Sequence, residues 1–229
     1  MELDMISVVT GTRLRTRRHL FGSASFLLAS QLALVFVGVN TRARAQAPFY
    51  VYLDADSPQN HYMPTGYMGD TGDIHINEAF AESPHSGKTC IRIIYDAKGK
   101  GPNACDYAGP CKWAGVYWQD PPNNWGKSDV YKGNGFNLAG SKRLTFWARA
   151  DKECTIQFKV GGIRERYGDS LRSPRSTTAQ LNKGWQRFEI DLEGADLSHI
   201  IGGFCWVTNW DTNPDGVIFY LDDIRFERK

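Results

Sequence analysis

Beyond residue 48 the chain is built from short runs in which apolar and polar residues alternate, separated by clusters of Gly, Pro, Asn and Asp. Successive side chains of a strand point to opposite faces, so alternation with period two is the mark of a half-buried strand. The pattern predicts strands over 49–54, 74–80, 89–95, 114–119, 143–150, 155–160, 185–192, 203–209 and 217–226. No helix-period stretch of any length accompanies them. The expected fold is therefore all-β, a two-sheet antiparallel β-sandwich. Segments 55–73, 96–113 and 161–182 read as long loops, which in a compact domain are often functional. No internal repeat or linker interrupts 48–229, so this region reads as one domain.

The alternation also separates two faces. Leu144, Phe146 and Ala148, Ile156, Phe158 and Val160, and Phe188, Ile190 and Leu192 form the expected core. The opposite face of these strands carries Trp147, Arg149, Gln157 and Lys159, while Tyr117 and Gln119 alternate with the core-facing Val116 and Trp118. An outer face that mixes rings with amides and a cation suits a sugar. The ring stacks on the apolar face of a pyranose, and the polar groups bond its hydroxyls.

Aromatic residues are dense. Seven Trp and ten Tyr all lie beyond residue 47, several of them in WAGVYWQDPPNNWG (113–126) and GGFCWVTNWD (202–211). The alternation of Trp118 and Trp206 with their neighbours assigns them to the core. Trp113, Trp125 and Trp210 fall at strand ends or in loops and are the better ligand candidates, with Tyr117, Gln119, Trp147, Lys159 and Arg164 as further contacts.

The first 47 residues stand apart. Arg13, Arg15, Arg17 and Arg18 precede an apolar run ending near Val39, followed by TRARAQA with small residues that suit a signal peptidase. The expectation is an export signal over 1–47, of general or twin-arginine type (TRRHLF), with an uncleaved anchor as the alternative. Its removal leaves 21 basic and 23 acidic residues on 48–229, so the basicity of the whole chain belongs to the signal. No clustered basic face is left for nucleic acid. The processed protein is expected to be secreted or periplasmic, monomeric and free of membrane.

All five cysteines lie in the exported part. Cys105 and Cys111 flank a short loop and form the expected disulfide in an oxidising compartment. Cys90, Cys154 and Cys205 sit in apolar strand patterns and read as buried thiols, with one further pair among them as the alternative. Paired acids recur at Asp54 and Asp56, Asp70 and Asp73, and Asp222 and Asp223. Oxygen-rich loops with glycine suit calcium. Asp54 and Asp222 would meet if the first and last strands run side by side. The competing role for such acids is to cap turns.

HSGKTCIRIIY (85–95), LTFWARAD (144–151), WQRFEIDL (185–192) and FYLDDIRFE (219–227) together resemble carbohydrate-binding modules of the galactose-binding-like jelly-roll superfamily, in element order over essentially all of 48–229. The resemblance implies a jelly roll that binds a polysaccharide or oligosaccharide without organic cofactor. It also implies a structural calcium held by Asp54, the carbonyl of Lys88 and Asp222. His85 departs from that pattern, because the family often has an acid about three places before the lysine; the departure either counts against the calcium or hands its ligation to Glu82 or a loop acid.

The non-catalytic reading has two alternatives. A small polysaccharide-degrading enzyme on the same fold would be a lyase more readily than a hydrolase. A lyase needs a Tyr or His base and a cation for a uronate carboxylate, which Tyr62, His61, Arg164 and Tyr167 would supply. A hydrolase needs two carboxylates held roughly 5–10 Å apart, and the spacing of Asp120, Glu165, Asp169 and Asp211 fixes no such pair. A structural or adhesive envelope protein is the second alternative.

Overall fold

The computed structural model describes residues 47–99 and 111–228, all within one compact unit spanning 44–229. The expected export signal therefore lies outside the described residues except for Ala47, and Cys105 also lies outside them. Eleven strands follow in order: β1 (Phe49–Tyr52), β2 (Met63–Gly69), β3 (Ile74–Phe80), β4 (Cys90–Tyr95), β5 (Trp113–Gln119), β6 (Arg143–Ala150), β7 (Cys154–Val160), β8 (Arg175–Leu181), β9 (Gln186–Asp191), β10 (Gly202–Asn209) and β11 (Val217–Glu227). One sheet has the order β3-β4-β11-β6-β9 with β1 also on β11, and the other has the order β2-β5-β10-β7-β8. Every strand pair is antiparallel. Apart from the β7–β8 hairpin, each step from β4 to β11 crosses from one sheet to the other. This is the wrapping of a jelly roll.

The core lies between the sheets, as the alternation requires. Phe146 of one sheet meets Phe158 and Phe204 of the other at ring-centroid distances of 4.6 and 5.3 Å. Trp118 and Trp206 are fully buried, and Trp118 packs edge-on to Phe204. Of the predicted core set, Phe188 alone is partly exposed, although it stacks on Phe146.

Two strands lie where the sequence suggested loops. β2 and β8 are the two edge strands of the five-stranded sheet, each paired on one side only. Their sequences, MPTGYMG and RSTTAQL, bury few side chains. An edge strand gets its order from its neighbour's backbone rather than from its own apolar face, so its alternation is faint.

Cys90, Cys154 and Cys205 are free and buried. Cys111 is disulfide-bonded. No helix among the described residues is long and apolar enough to cross a membrane.

Phe146→Ala should lower the unfolding free energy by about 3–5 kcal/mol, the usual effect of a large cavity in an aromatic core. Val130, which is 77% exposed, should tolerate alanine within about 0.5 kcal/mol. Denaturant titration of both variants checks this contrast.

Candidate functional site

Two regions of the molecule gather the residues singled out by the sequence. The first is a clasp on β11. One edge of this strand pairs with β4 along 217–221 and then with β1 from Ile224 onward. Asp222 and Asp223 fall at that change of partner, where the register with β6 also shifts and Asp223 has φ 50°. The Asp222 carboxylate accepts from the backbone N–H groups of His85 at 2.8 Å, Ser86 at 3.2 Å and Asp223 at 2.8 Å. Asp54, just beyond β1, holds the other side of the same turn, its Oδ1 accepting from Lys88 N and Thr89 N, both at 2.8 Å. Burial pushes the Asp54 carboxyl up, but these bonds outweigh it and leave it below its ordinary value. The first and last strands do run side by side, and Asp54 and Asp222 are joined through the 85–89 turn.

His85 completes the clasp. Its Nδ1 is 2.9 Å from Asp223 Oδ2, and its ring stacks on Trp147 at 3.7 Å. Among the described residues, the group that converges as a cation site is His85, Asp222 and Asp223, with ligand atoms within 4.8 Å of one another; Asp54 is not part of it. Calcium takes oxygen ligands, and an imidazole nitrogen suits other metals. This group differs from the expected set of Asp54, the Lys88 carbonyl and Asp222, in which both carboxylates accept backbone N–H groups of the 85–89 turn. The His85 imidazole bonds Asp223 directly.

The second region is the outer face of the five-stranded sheet. The registers set its side chains in rows across the strands. One row runs Gly66, Tyr117, Cys205, Lys159, Ser176, and the next runs Met68, Gly115, Val207, Gln157, Thr178. A third pairs Trp113 with Asn209 on one side and Thr155 with Gln180 on the other. The face is thus a field of hydroxyls and amides with rings toward β5 and one ammonium in the middle.

Loops cover one end of this face. Asp169 holds the 161–172 loop against the sheet by accepting from Ile163 N at 2.8 Å, Ile201 N at 2.7 Å and Gly202 N at 3.0 Å. Burial pushes its carboxyl up despite these bonds. Tyr117 is nearly buried beneath the loops and donates to the Gly161 carbonyl at 3.0 Å, with Trp125 packed edge-on against it. Gln119 is fully buried, its amide donating to Asn124 O at 2.9 Å while Thr65 Oγ1 donates to its Oε1 at 3.2 Å. Gln119 therefore holds the 120–126 loop, which corrects its expected role as a ligand contact.

Trp113, Trp125 and Lys159 remain partly accessible on this side, and Arg164 is exposed on the loop. Trp147 lies elsewhere. It belongs to β6, on the outer face of the six-stranded sheet, where His85 covers its ring. Alternation reveals which residues point outward, but not from which sheet, so Trp147 and Lys159 had been put on one surface. Trp210 continues the inward side of β10 and packs against the main core. The row Ser176, Thr178, Gln180 escaped sequence reading together with β8, although the alternation in RSTTAQL carries it.

The residues weighed for catalysis are spread out. His61 and Tyr62 line a cleft of about 430 Å³ with Glu78 and Asp120, and Arg164 and Tyr167 do not line it. The Tyr62 hydroxyl donates to the Ile200 carbonyl, and burial pushes the phenol well above its ordinary value, the opposite of what a base needs. His61 Nδ1 faces the Tyr50 carbonyl at 2.9 Å and so carries its proton there. The Tyr167 hydroxyl is bonded to Asp129 at 2.6 Å, which raises its pKa.

Fold and surface define a jelly-roll sandwich with one solvent-facing polar and aromatic sheet. No protein-family model and no curated protein matches the chain in sequence. Solved structures that it resembles include several carbohydrate-binding modules. A family 30 carbohydrate-binding module shares 10% identity at a TM-score of 0.49, over 80% of this chain and 88% of that one. A family 11 module of a cellulosomal cellulase of Clostridium thermocellum shares 9% at 0.47, over 80% and 95%. An exo-β-agarase shares 9% at 0.49, over 80% of this chain and 25% of that one.

Two outcomes test the clasp. A chelator should leave Tm unchanged, and His85→Asp should make Tm rise on adding calcium; a chelator-sensitive parent protein would contradict the assignment. Burial, with Asp223 alongside, pushes Asp222 up to about 7 from an ordinary 3.8. The folded state then holds the proton more tightly than the unfolded chain. Its stabilising contribution is present below about pH 4 and is lost as pH rises through about 7. Tm should fall between about pH 5 and pH 8, and less steeply in Asp222→Asn; equal slopes would contradict it.

Proposed function

We propose that the protein is an exported, non-catalytic carbohydrate-binding protein that takes a polysaccharide chain along the outer face of its five-stranded sheet. The observation that carries this reading is the make-up of that face. Trp113 and Trp125 flank rows of Gln157, Thr178, Asn209 and Gln180, which offer side-chain donors and acceptors beside rings. A pyranose presents the same mixture, with C–H groups on its faces and hydroxyls around its rim. An extended strand surface also matches an extended polymer better than an enclosed pocket does.

The same face argues against hydrolysis, since a pair of carboxylates is needed and none of the five strands carries one. The arginine-rich leader and the cleavage-like TRARAQA support export.

Each ring stack contributes about 1 kcal/mol beyond its buried area, so single-site affinity falls in roughly the micromolar to millimolar range. Trp113→Ala and Trp125→Ala should each weaken retention on the preferred polysaccharide about fivefold or more, while Trp147→Ala leaves it unchanged. Affinity electrophoresis against a panel of polysaccharides reads this directly. Retention lost with Trp147→Ala and kept in the other two variants would move the site to the opposite sheet.

A further inference from the structure

Every carboxylate carried on a strand of this sandwich lies in the six-stranded sheet: Glu78, Glu189, Asp191, Asp222, Asp223 and Glu227. The five strands of the other sheet carry none on either face. Residues 48–229 hold slightly more acids than bases, so this segregation does not follow from composition.

Cations, by contrast, are present on that sheet and gather on its β7–β8 hairpin. Lys159 stands in the row with Cys205 and Ser176, partly buried, and pairs with no carboxylate among the described residues. Arg164 and Arg172, on the loop between β7 and β8, also lack a carboxylate partner among the described residues, as does Arg175, which shares a row with the core-facing Val160 rather than with Lys159 and Ser176. Each donates to a backbone carbonyl instead, those of Arg172, Glu165 and Glu193 respectively. On the loops at the Lys159 end of the sheet, Glu165 faces Lys127 at 3.8 Å, and Asp129 faces Arg166 at 3.8 Å and Tyr167 at 2.6 Å; the exposed Glu153, Asp211 and Asp215 lie at the opposite end of the strands. Asp169 is buried and bonded to three backbone N–H groups.

A partly desolvated ammonium with no counter-ion is unfavourable, and an incoming anion relieves it. Guanidinium groups nearby add forked donors that match a carboxylate or a sulfate ester. A sheet without acids does not repel such a ligand. We infer that the glycan bound on this face is anionic, bearing uronate carboxylates or sulfate esters, with Lys159 on one acidic group and the loop arginines Arg164 and Arg172 on its neighbours. The inference rests on the carbohydrate reading given above. It names the ligand class that the rings alone leave open. Charge complementarity of this kind acts chiefly on specificity and association rate.

Calorimetric titration of the protein with a soluble polyuronate, a sulfated galactan and a neutral galactan, at about 50 and about 500 mM salt, tests it. The expected result is binding of one or both acidic polymers, weakened by salt, with the neutral polymer at least about tenfold weaker. Preference between the two acidic polymers identifies the anionic group. Lys159→Gln should lower affinity for the acidic polymer about tenfold and flatten its salt dependence, whereas Lys142→Gln on the other sheet should change neither. Equal, salt-insensitive binding of the neutral polymer overturns the inference and leaves the carbohydrate reading standing. Binding of polyaspartate as tight as that of the glycans, and unaffected by Trp113→Ala, also overturns it by reducing the contact to ion exchange. Binding of no glycan at all overturns both readings.

Discussion

The structure depends on how its last strand is held. Among the described residues, β11 is the one strand that pairs with three others, β4, β1 and β6, and it does so by breaking step at Asp222 and Asp223. A bulge here leaves backbone groups unpaired and acids buried, both of which are unfavourable without partners. The 85–89 turn meets that requirement by turning its N–H groups toward Asp222 on one side and Asp54 on the other, with His85 against Asp223. A Cβ at Gly87, which has φ 61°, would lie 2.2 Å from Asp54 Oδ2, so the close approach requires glycine there. First strand, closing strand and turn are thereby fixed together, which anchors the sheet behind the proposed binding face.

With one sheet so anchored, the other is free to differ in chemistry. Its inner side contributes Trp118, Phe158, Phe204 and Trp206 to the core. Its outer side is left polar, flat along the strands and empty of acids. The loops after β5 and β7 then close one end, with Gln119, Tyr117 and Asp169 as fasteners. On the proposed reading, stability and recognition are divided between opposite surfaces: the buried acids and the His85 clasp belong to one, the accessible rings and the cations without a carboxylate partner among the described residues to the other.

Much of this was legible in the chain. Period-two alternation located β3 and β6 to the residue, and it put Phe146, Ile156 and Phe158 in the core, because a strand buried on one face has to alternate. β2 and β8 were not legible, since edge strands bury little and take their order from a neighbour. Sheet membership was not legible either. Trp147 and Lys159 both point outward, yet they stand on opposite surfaces, because β6 and β7 belong to different sheets. Gln119 looked like an outward amide until the 120–126 loop folded over it, a tertiary event that local pattern does not encode. The departure at His85, by contrast, was visible in the sequence, and its consequence is physical: a nitrogen donor stands where calcium would want an oxygen.

The account turns on which surface meets the ligand. Backbone and side-chain amide NMR shifts of the labelled protein, followed while an acidic oligosaccharide is added, measure that most directly. The account predicts perturbations concentrated at Trp113, Gln157, Lys159, Thr178 and Gln180, with the clasp around His85 and Trp147 silent. Perturbations centred on Trp147 and Trp185, or in the cleft beside His61 and Tyr62, would contradict it.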